Sequence, residues 1–159
     1  MKLLSPLDEK IVLVGMSCSG KTTFASMLED HEYYCFDSLF HWHLVETLGL
    51  SISENLKHVS NVCAAESYVL DGWHLTNRDL IPRDASVYVI YANYQNIIDQ
   101  YRVPIRETNE HLHMYHKWYG SSYPDRSVRY FKNDGVFVET TSLECSPEIE
   151  ETFESQEKN

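Results

Sequence analysis

The stretch Ile11-Val-Leu-Val-Gly-Met-Ser-Cys-Ser-Gly-Lys-Thr22 decides how this chain folds. Ile11 to Val14 are an apolar run of strand length. Gly15 to Thr22 then reads G-x-x-x-x-G-K-T, the pattern of a phosphate-binding P-loop. Phe24, Met27 and Leu28 follow on one helical face. Strand, loop and helix in that order are the context the pattern requires. Such a loop works through its backbone. Its N–H groups turn inward to cradle phosphate oxygens, and glycines let the chain come close. Gly15, Ser17, Cys18, Ser19, Gly20, Lys21, Thr22 and Thr23 are therefore the expected nucleotide-binding residues. Lys21 would reach the β- and γ-phosphates, and the Thr22 hydroxyl would ligate Mg²⁺.

Working outward, residues 10–14 read as the first strand and 20–30 as the first helix. Tyr33-Tyr34-Cys35-Phe36, ending at Asp37, reads as a second strand. Phe40, Leu44 and Leu48 recur every four residues, and Ser51 to Glu54 has capping-box spacing ahead of Ile52, Leu56, Val59 and Cys63. Both patterns are helical. Tyr68-Val69-Leu70, ending at Asp71-Gly72, reads as a third strand and Val87 to Tyr91 as a fourth. A helix is expected over about 94–102, then a polar, His-rich segment over 103–121. Pro124 fits a helix start, with that helix running to Asn133 and stopping near Gly135. Val136-Phe137-Val138 reads as the fifth strand. Strands separated by helices predict an α/β domain with a parallel sheet.

The domain is expected over 10–145, after a lead-in at 1–9 that Pro6 keeps irregular. Residues 146–159 form an acidic tail in which Ile149 and Phe153, four apart, suit a last helix. A length of 159 residues suits one domain, and 43% hydrophobic with 13% aromatic residues is a globular composition. No apolar run approaches the ~20 residues of a membrane span, and no signal-peptide core follows Leu3 and Leu4. The four cysteines lack C-x-x-C spacing, which suits reduced thiols in a cytoplasmic protein. The net charge is −11; residues 144–159, with six glutamates against one lysine, supply −5 of it. That balance disfavours broad electrostatic binding to nucleic acid or to an anionic membrane.

Ligands of parallel α/β sheets gather at the carboxyl ends of the strands. The P-loop, Asp37 and Asp71 each follow a strand, so all three are expected at one edge. Asp71 is placed to hold Mg²⁺ or simply to form an Asp-Gly turn. Gly72 follows it, where many P-loop ATPases carry a water-activating glutamate. Asp37 either activates an acceptor hydroxyl or caps a helix. Arg102 and Arg106, four apart, would place positive charge against the phosphates, or form a solvated helix face. Arg78 and Arg83 are candidate acceptor contacts, and Arg126 and Arg129 further candidate cations. Trp73, His74, Trp118, Tyr119 and Tyr123 would stack on a base or fill core. His111, His113 and His116, spaced H-x-H-x-x-H with no neighbouring Cys, suit an acceptor pocket or solvent better than a structural metal.

These features together resemble a family. The P-loop, "YVLDGWHLTNRD" at 68–79 and "IYANYQNIIDQYRVPIR" at 90–106 look like small P-loop kinases of the adenylate-kinase and nucleoside or polynucleotide kinase type. The resemblance spans most of residues 10–142. It implies a three-layer fold with a five-stranded parallel sheet, order 2-3-1-4-5, and a small lid near 103–121 opened by Arg102 and Arg106. Trp73-His74-Leu75 stands where nucleoside monophosphate kinases carry aromatic-Pro-Arg. Asp37 is more similar to the Asp of kinases that phosphorylate an alcohol. The size and short lid are also similar to phage-encoded P-loop kinases, some of which phosphorylate 5-hydroxymethyluracil within DNA.

The expected activity is transfer of the ATP γ-phosphate to a hydroxyl of a nucleoside, nucleotide or small metabolite. Lys21, Arg102 and Arg106 would stabilise charge, Asp37 would activate the acceptor, and Asp37, Trp73, His74 and Arg78 would bind it. Thr22 and Asp71 would hold Mg²⁺. The alternative is a nucleic-acid kinase acting on a terminus or a modified base. A GTP-binding switch is disfavoured, because neither N-K-x-D nor D-x-x-G is present. A catalytically silent domain is disfavoured by the intact Lys21, Thr22 and Asp71.

Overall fold

Ile11, Val12, Leu13 and Val14 are all fully buried, because the strand they form has a neighbour on each side and cover on both faces. This strand is β1 (Lys10–Val14). A computed structural model describes residues 1–16, 19–35, 65–71, 82–93, 119 and 126–141. Within them follow α1 (Lys21–Ser26), β2 (Glu32–Cys35), β3 (Tyr68–Asp71), β4 (Ser86–Tyr91), β5 (Val128–Asn133) and β6 (Phe137–Thr140). The described strands form one six-stranded sheet, order β2-β3-β1-β4-β5-β6. The first five pair in parallel, and β6 runs antiparallel to β5.

The α/β class is as expected, and the first five strands have the order 2-3-1-4-5, although the fifth is not the expected Val136–Val138. Two elements differ from expectation in kind or place in the sheet. Residues 128–133 are a strand, not the end of a helix begun at Pro124. Val128, Tyr130 and Lys132 alternate with Arg129, Phe131 and Asn133, and the strand's two faces meet different surroundings: Phe131 is fully buried, whereas Tyr130 and Lys132 are half-buried. Phe137–Thr140 is accordingly the sixth strand, and the sheet is mixed. A three-residue loop joins the two strands, with Gly135 at φ +89°, a left-handed turn position that suits glycine.

Helix α1 is shorter than the 20–30 expected. It packs on the sheet through Phe24, whose ring lies edge-on to Phe131 and Phe137 at centroid distances of 4.9 and 5.1 Å. Leu28 is buried beside it, but Met27, expected on the same face, is exposed. Phe24, Leu13, Val69, Ile90 and Phe131 belong to the apolar core beneath the loop. Each such fully buried side chain stabilises the fold by roughly 1.5–3 kcal/mol.

The first residues are tied to the sheet. Lys2 bridges to Val138 in parallel: its N–H donates to the Phe137 carbonyl, and its carbonyl accepts from the Glu139 N–H, each at 2.9 Å. A polar cluster then anchors residues 4–8 at the amino edge of the parallel strands. Arg129 grips Glu139 in a two-point pair, Nε to Oε2 at 2.9 Å and Nη2 to Oε1 at 2.7 Å. The same guanidinium donates to the carbonyls of Ser5 and Pro6, to Asp8 and to the Tyr88 hydroxyl. Burial acts to raise the Glu139 carboxyl, but the hydrogen bonds from Arg129 and the Leu4 N–H outweigh it and hold it below the usual carboxylate range.

Candidate active site

The carboxyl end of β1 runs directly into Gly15, where the chain comes close to the neighbouring strand. A Cβ added at Gly15 would lie 2.3 Å from the Ile90 carbonyl oxygen. Only a residue without a side chain fits there. Gly20 is the second fixed point. It caps α1 in the left-handed region with φ +103°, and a Cβ on it would sit 2.5 Å from Asn133 Nδ2. The two glycines of the motif are thus required by contact with β4 on one side and by conformation and the β5–β6 hairpin on the other.

Lys21 lies along the loop it belongs to. Its Nζ donates to the Gly15 carbonyl at 2.8 Å and to the Met16 carbonyl at 3.1 Å. The Met16 carbonyl also accepts from the Ser19 N–H at 3.1 Å. The ammonium is therefore held at the mouth of the loop, where it can neutralise an anion that the loop's N–H groups bind. Thr22 and Thr23, in the first turn of α1, are exposed.

Two residues brace the loop from outside its own sequence. Tyr119 is buried, donates its hydroxyl to the Ile90 carbonyl at 2.8 Å and accepts the Met16 N–H at 3.3 Å. Of the two roles its sequence position allowed, it takes the core one. Asn133, the last residue of β5, donates Nδ2 to the Ser19 carbonyl at 2.9 Å. Motif reading cannot find either residue. The Asn-Asp-Gly turn signal at 133–135 marks a hairpin, and from the hairpin the place of Asn133 follows.

Asp71 ends β3 opposite Leu13 of β1 and is buried. The sheet therefore puts its carboxylate on the same edge as the P-loop, as its position after a strand led us to expect. The Tyr33 hydroxyl of β2 donates to Asp71 Oδ2 at 3.1 Å. A carboxylate and a threonine hydroxyl are hard oxygen donors of the kind Mg²⁺ takes alongside substrate phosphates. No cluster of three or more His, Cys, Asp or Glu with metal-site geometry occurs among the described residues. Thr22 and Asp71 offer hard oxygens of the kind Mg²⁺ takes.

Two candidate cations are engaged elsewhere, and a third lies away from the loop. Arg129 is committed to Glu139 at the opposite edge of the sheet. Arg126 donates to the Pro82 carbonyl at 2.6 Å, and it precedes β5. Arg83 precedes β4, so it too lies at the amino edge, away from any acceptor at the P-loop edge. Ser17, Cys18, Asp37, Trp73, His74, Arg78, Arg102, Arg106 and the His-rich segment lie outside the described residues. So do the acidic tail and the expected lid at 103–121, except for Tyr119, which is packed in the core and not on a lid.

This arrangement has counterparts among known proteins. The fold is similar to shikimate kinase from Aquifex aeolicus vf5 (TM-score 0.52, 18% identity, 94% of each chain covered). It is similar to a sugar kinase from Janibacter sp. HTCC2649 (TM-score 0.53, 18% identity, 96% of this chain and 94% of that one). A gluconokinase from Sinorhizobium meliloti 1021 aligns at TM-score 0.51 and 12% identity, over 77% of this chain and 81% of that one. The chain has the fold of the small P-loop kinases. In sequence, 57 residues are 42% identical to a curated protein of Thermosipho africanus (strain TCF52B) described as a nucleotide-binding protein. That match takes in 36% of this chain and only 20% of the relative's length. No family model matches the chain. Among the described residues, no helix is long and apolar enough to cross a membrane.

Proposed function

We propose that the chain is an ATP- and Mg²⁺-dependent phosphotransferase that moves the γ-phosphate to a hydroxyl of a small molecule. The observation that carries this reading is the meeting of two features on one sheet edge. The Lys21 loop closes β1, and the buried Asp71 closes β3 beside it. The neighbours named shikimate kinase, gluconokinase and sugar kinase use this fold and each act on an acceptor other than water, which supports a small-molecule alcohol. Nucleosides and nucleotides remain within the same acceptor class.

In this reading the loop's N–H groups and Lys21 bind the β- and γ-phosphates. Thr22 and Asp71 would hold Mg²⁺, which supplies positive charge to the phosphate oxygens when bound. The acceptor oxygen attacks the γ-phosphorus, the bond to the β–γ bridging oxygen breaks, and ADP leaves. The acceptor's proton passes to a carboxylate, a role that falls to Asp37. Arg102 and Arg106 would add charge to the equatorial oxygens, and Trp73, His74 and Arg78 would shape the acceptor pocket. Catalysis here is positioning and charge stabilisation. Gly72 after Asp71 leaves no glutamate to activate water, which favours transfer over hydrolysis.

The test is ADP formation from ATP against a panel of nucleosides, mononucleotides, sugars, polyol acids such as shikimate, and DNA bearing hydroxymethyl bases. At least one soluble alcohol should accelerate ADP release and gain phosphate. Lys21→Ala should abolish that transfer while the protein stays folded. Phosphate appearing only in the DNA arm would replace the small-molecule acceptor with a nucleic-acid one. Unchanged turnover in Lys21→Ala would remove the P-loop from the chemistry.

A further inference from the structure

Among the described residues, the hairpin β5–β6 meets the P-loop at the peptide joining Ser19 to Gly20. Asn133 Nδ2 donates to the Ser19 carbonyl at 2.9 Å, and Asn133 Oδ1 accepts the Gly135 N–H at 3.0 Å. The second bond sets which way the amide faces: its acceptor is used by the turn, so its donor must point at the loop. A trans peptide is planar, with its C=O and N–H on opposite sides. Drawing the Ser19 carbonyl toward β5 therefore turns the Gly20 N–H away from β5. The far side of Gly20 is fixed as well, because its own carbonyl accepts the Phe24 N–H at 2.8 Å. The fit leaves no slack, since a Cβ on Gly20 would lie 2.5 Å from the Asn133 amide nitrogen.

We propose that Asn133 is a positioning residue for nucleotide binding, holding the Ser19–Gly20 peptide so that the Gly20 N–H faces the bound phosphate. The proposal rests on the phosphotransferase reading above. Without the Asn133 bond the peptide loses the anchor on its own carbonyl and can flip between the flanking bonds to Met16 and Phe24. Rotation would put the Ser19 carbonyl oxygen where the N–H belongs, replacing a donor by a partial negative charge beside an anion. A cradle built from backbone donors binds tightly only when those donors are set before the ligand arrives.

Asn133→Asp tests this directly. It has nearly the same shape and keeps an acceptor for the Gly135 N–H, but it offers the Ser19 carbonyl no donor. Asn133→Ala removes the donor without adding charge. Binding of ATP and of inorganic tripolyphosphate would be measured by calorimetry on the full chain, with the thermal midpoint of each protein alone. Both variants should weaken both ligands by about tenfold, the scale of one lost hydrogen bond. Both variants lose the bond to the Ser19 carbonyl, so both should also lower the midpoint. In ¹⁵N spectra of the ligand-free protein, the Gly20 amide signal should move in both variants. Wild-type affinity in Asn133→Ala, or a lowered midpoint with affinity unchanged, overturns the proposal. If Asn133→Asp fails to fold, the Ala variant alone decides. Failure of the wild-type chain to bind either ligand overturns the functional reading and this proposal with it; wild-type binding beside unaffected variants overturns this one alone.

Discussion

The Tyr33 hydroxyl on β2 donates to Oδ2 of Asp71 at the end of β3, across 3.1 Å. Tyr33 is half exposed, whereas Asp71 is buried, so the bond presents a solvent-side donor to a carboxylate inside the sheet edge. Carboxylates that hold metals are themselves held by hydrogen bonds, and loss of such a partner weakens metal affinity. Tyr33→Phe should therefore raise the Mg²⁺ concentration needed for half-maximal phosphoryl transfer by up to about tenfold, at the low end of the usual range for such partners. The effect on stability should stay within about 1 kcal/mol, because water can reach the site in the variant. A magnesium titration of activity that is the same in both proteins would detach Tyr33 from Asp71 function.

Gly20 tests the loop's conformation rather than its charge. Its φ of +103° and the 2.5 Å approach of Asn133 both oppose a side chain. Gly20→Ala should destabilise the fold by at least ~1 kcal/mol, since alanine must either adopt a strained dihedral or push the hairpin away. Nucleotide affinity should fall by more than the stability change alone implies. Chemical denaturation and calorimetric ATP binding read the two effects separately, and a fully stable, tightly binding variant would contradict this geometry.

Arg129 and Glu139 predict how stability depends on pH. Both side chains are about nine-tenths buried, and they share two hydrogen bonds. Removing one partner leaves a buried charge unpaired, so Arg129→Leu should cost about 3–5 kcal/mol in urea unfolding. The Glu139 carboxyl is held below its ordinary value despite burial. Its contribution is therefore complete above the unfolded carboxylate pKa of about 4.3 and is lost as the pH falls through the lower folded value. Burial pushes the Tyr88 phenol the other way, well above its ordinary value. That contribution is complete below about pH 10 and is lost as the pH rises from there through the raised value. Glu139→Gln should flatten the acid limb of a stability–pH curve and leave the alkaline limb in place.

The same pair shows where sequence reading stops. The P-loop was legible because a backbone cradle tolerates few sequences: contact and conformation forbid side chains at Gly15 and Gly20. Asp71 was legible because a carboxylate closing a buried strand lands at the ligand edge by topology alone. Arg129 was not. As a lone arginine in an apparent helix, it read as a cation available for phosphate. Its true partner lies across a hairpin, and only the β5–β6 register brings Glu139 to it. Pro124 masked that hairpin by offering a helix start, although the alternation from Val128 to Asn133 and the Asn-Asp-Gly turn both signal strands. Tyr119 and Asn133 act through backbone carbonyls, a kind of partner that carries no sequence pattern.

Tyr119 gives the remaining prediction. Its buried hydroxyl bridges Ile90 of β4 and Met16 of the loop, donating to the first and accepting from the second. Ile90 is also the residue whose carbonyl crowds Gly15. Tyr119→Phe keeps the ring and its edge-on contact with Tyr91 but removes the bridge. A buried Met16 N–H then loses this acceptor, a loss of about 1–3 kcal/mol. Because the bridge ends at the first turn of the P-loop, the loop should loosen as well as the core. Thermal unfolding should show the lower stability, and amide hydrogen exchange should speed up at Met16 relative to Ile11 to Leu13. Faster exchange spread evenly along β1 would instead mean that Tyr119 supports the sheet as a whole and does not brace the loop.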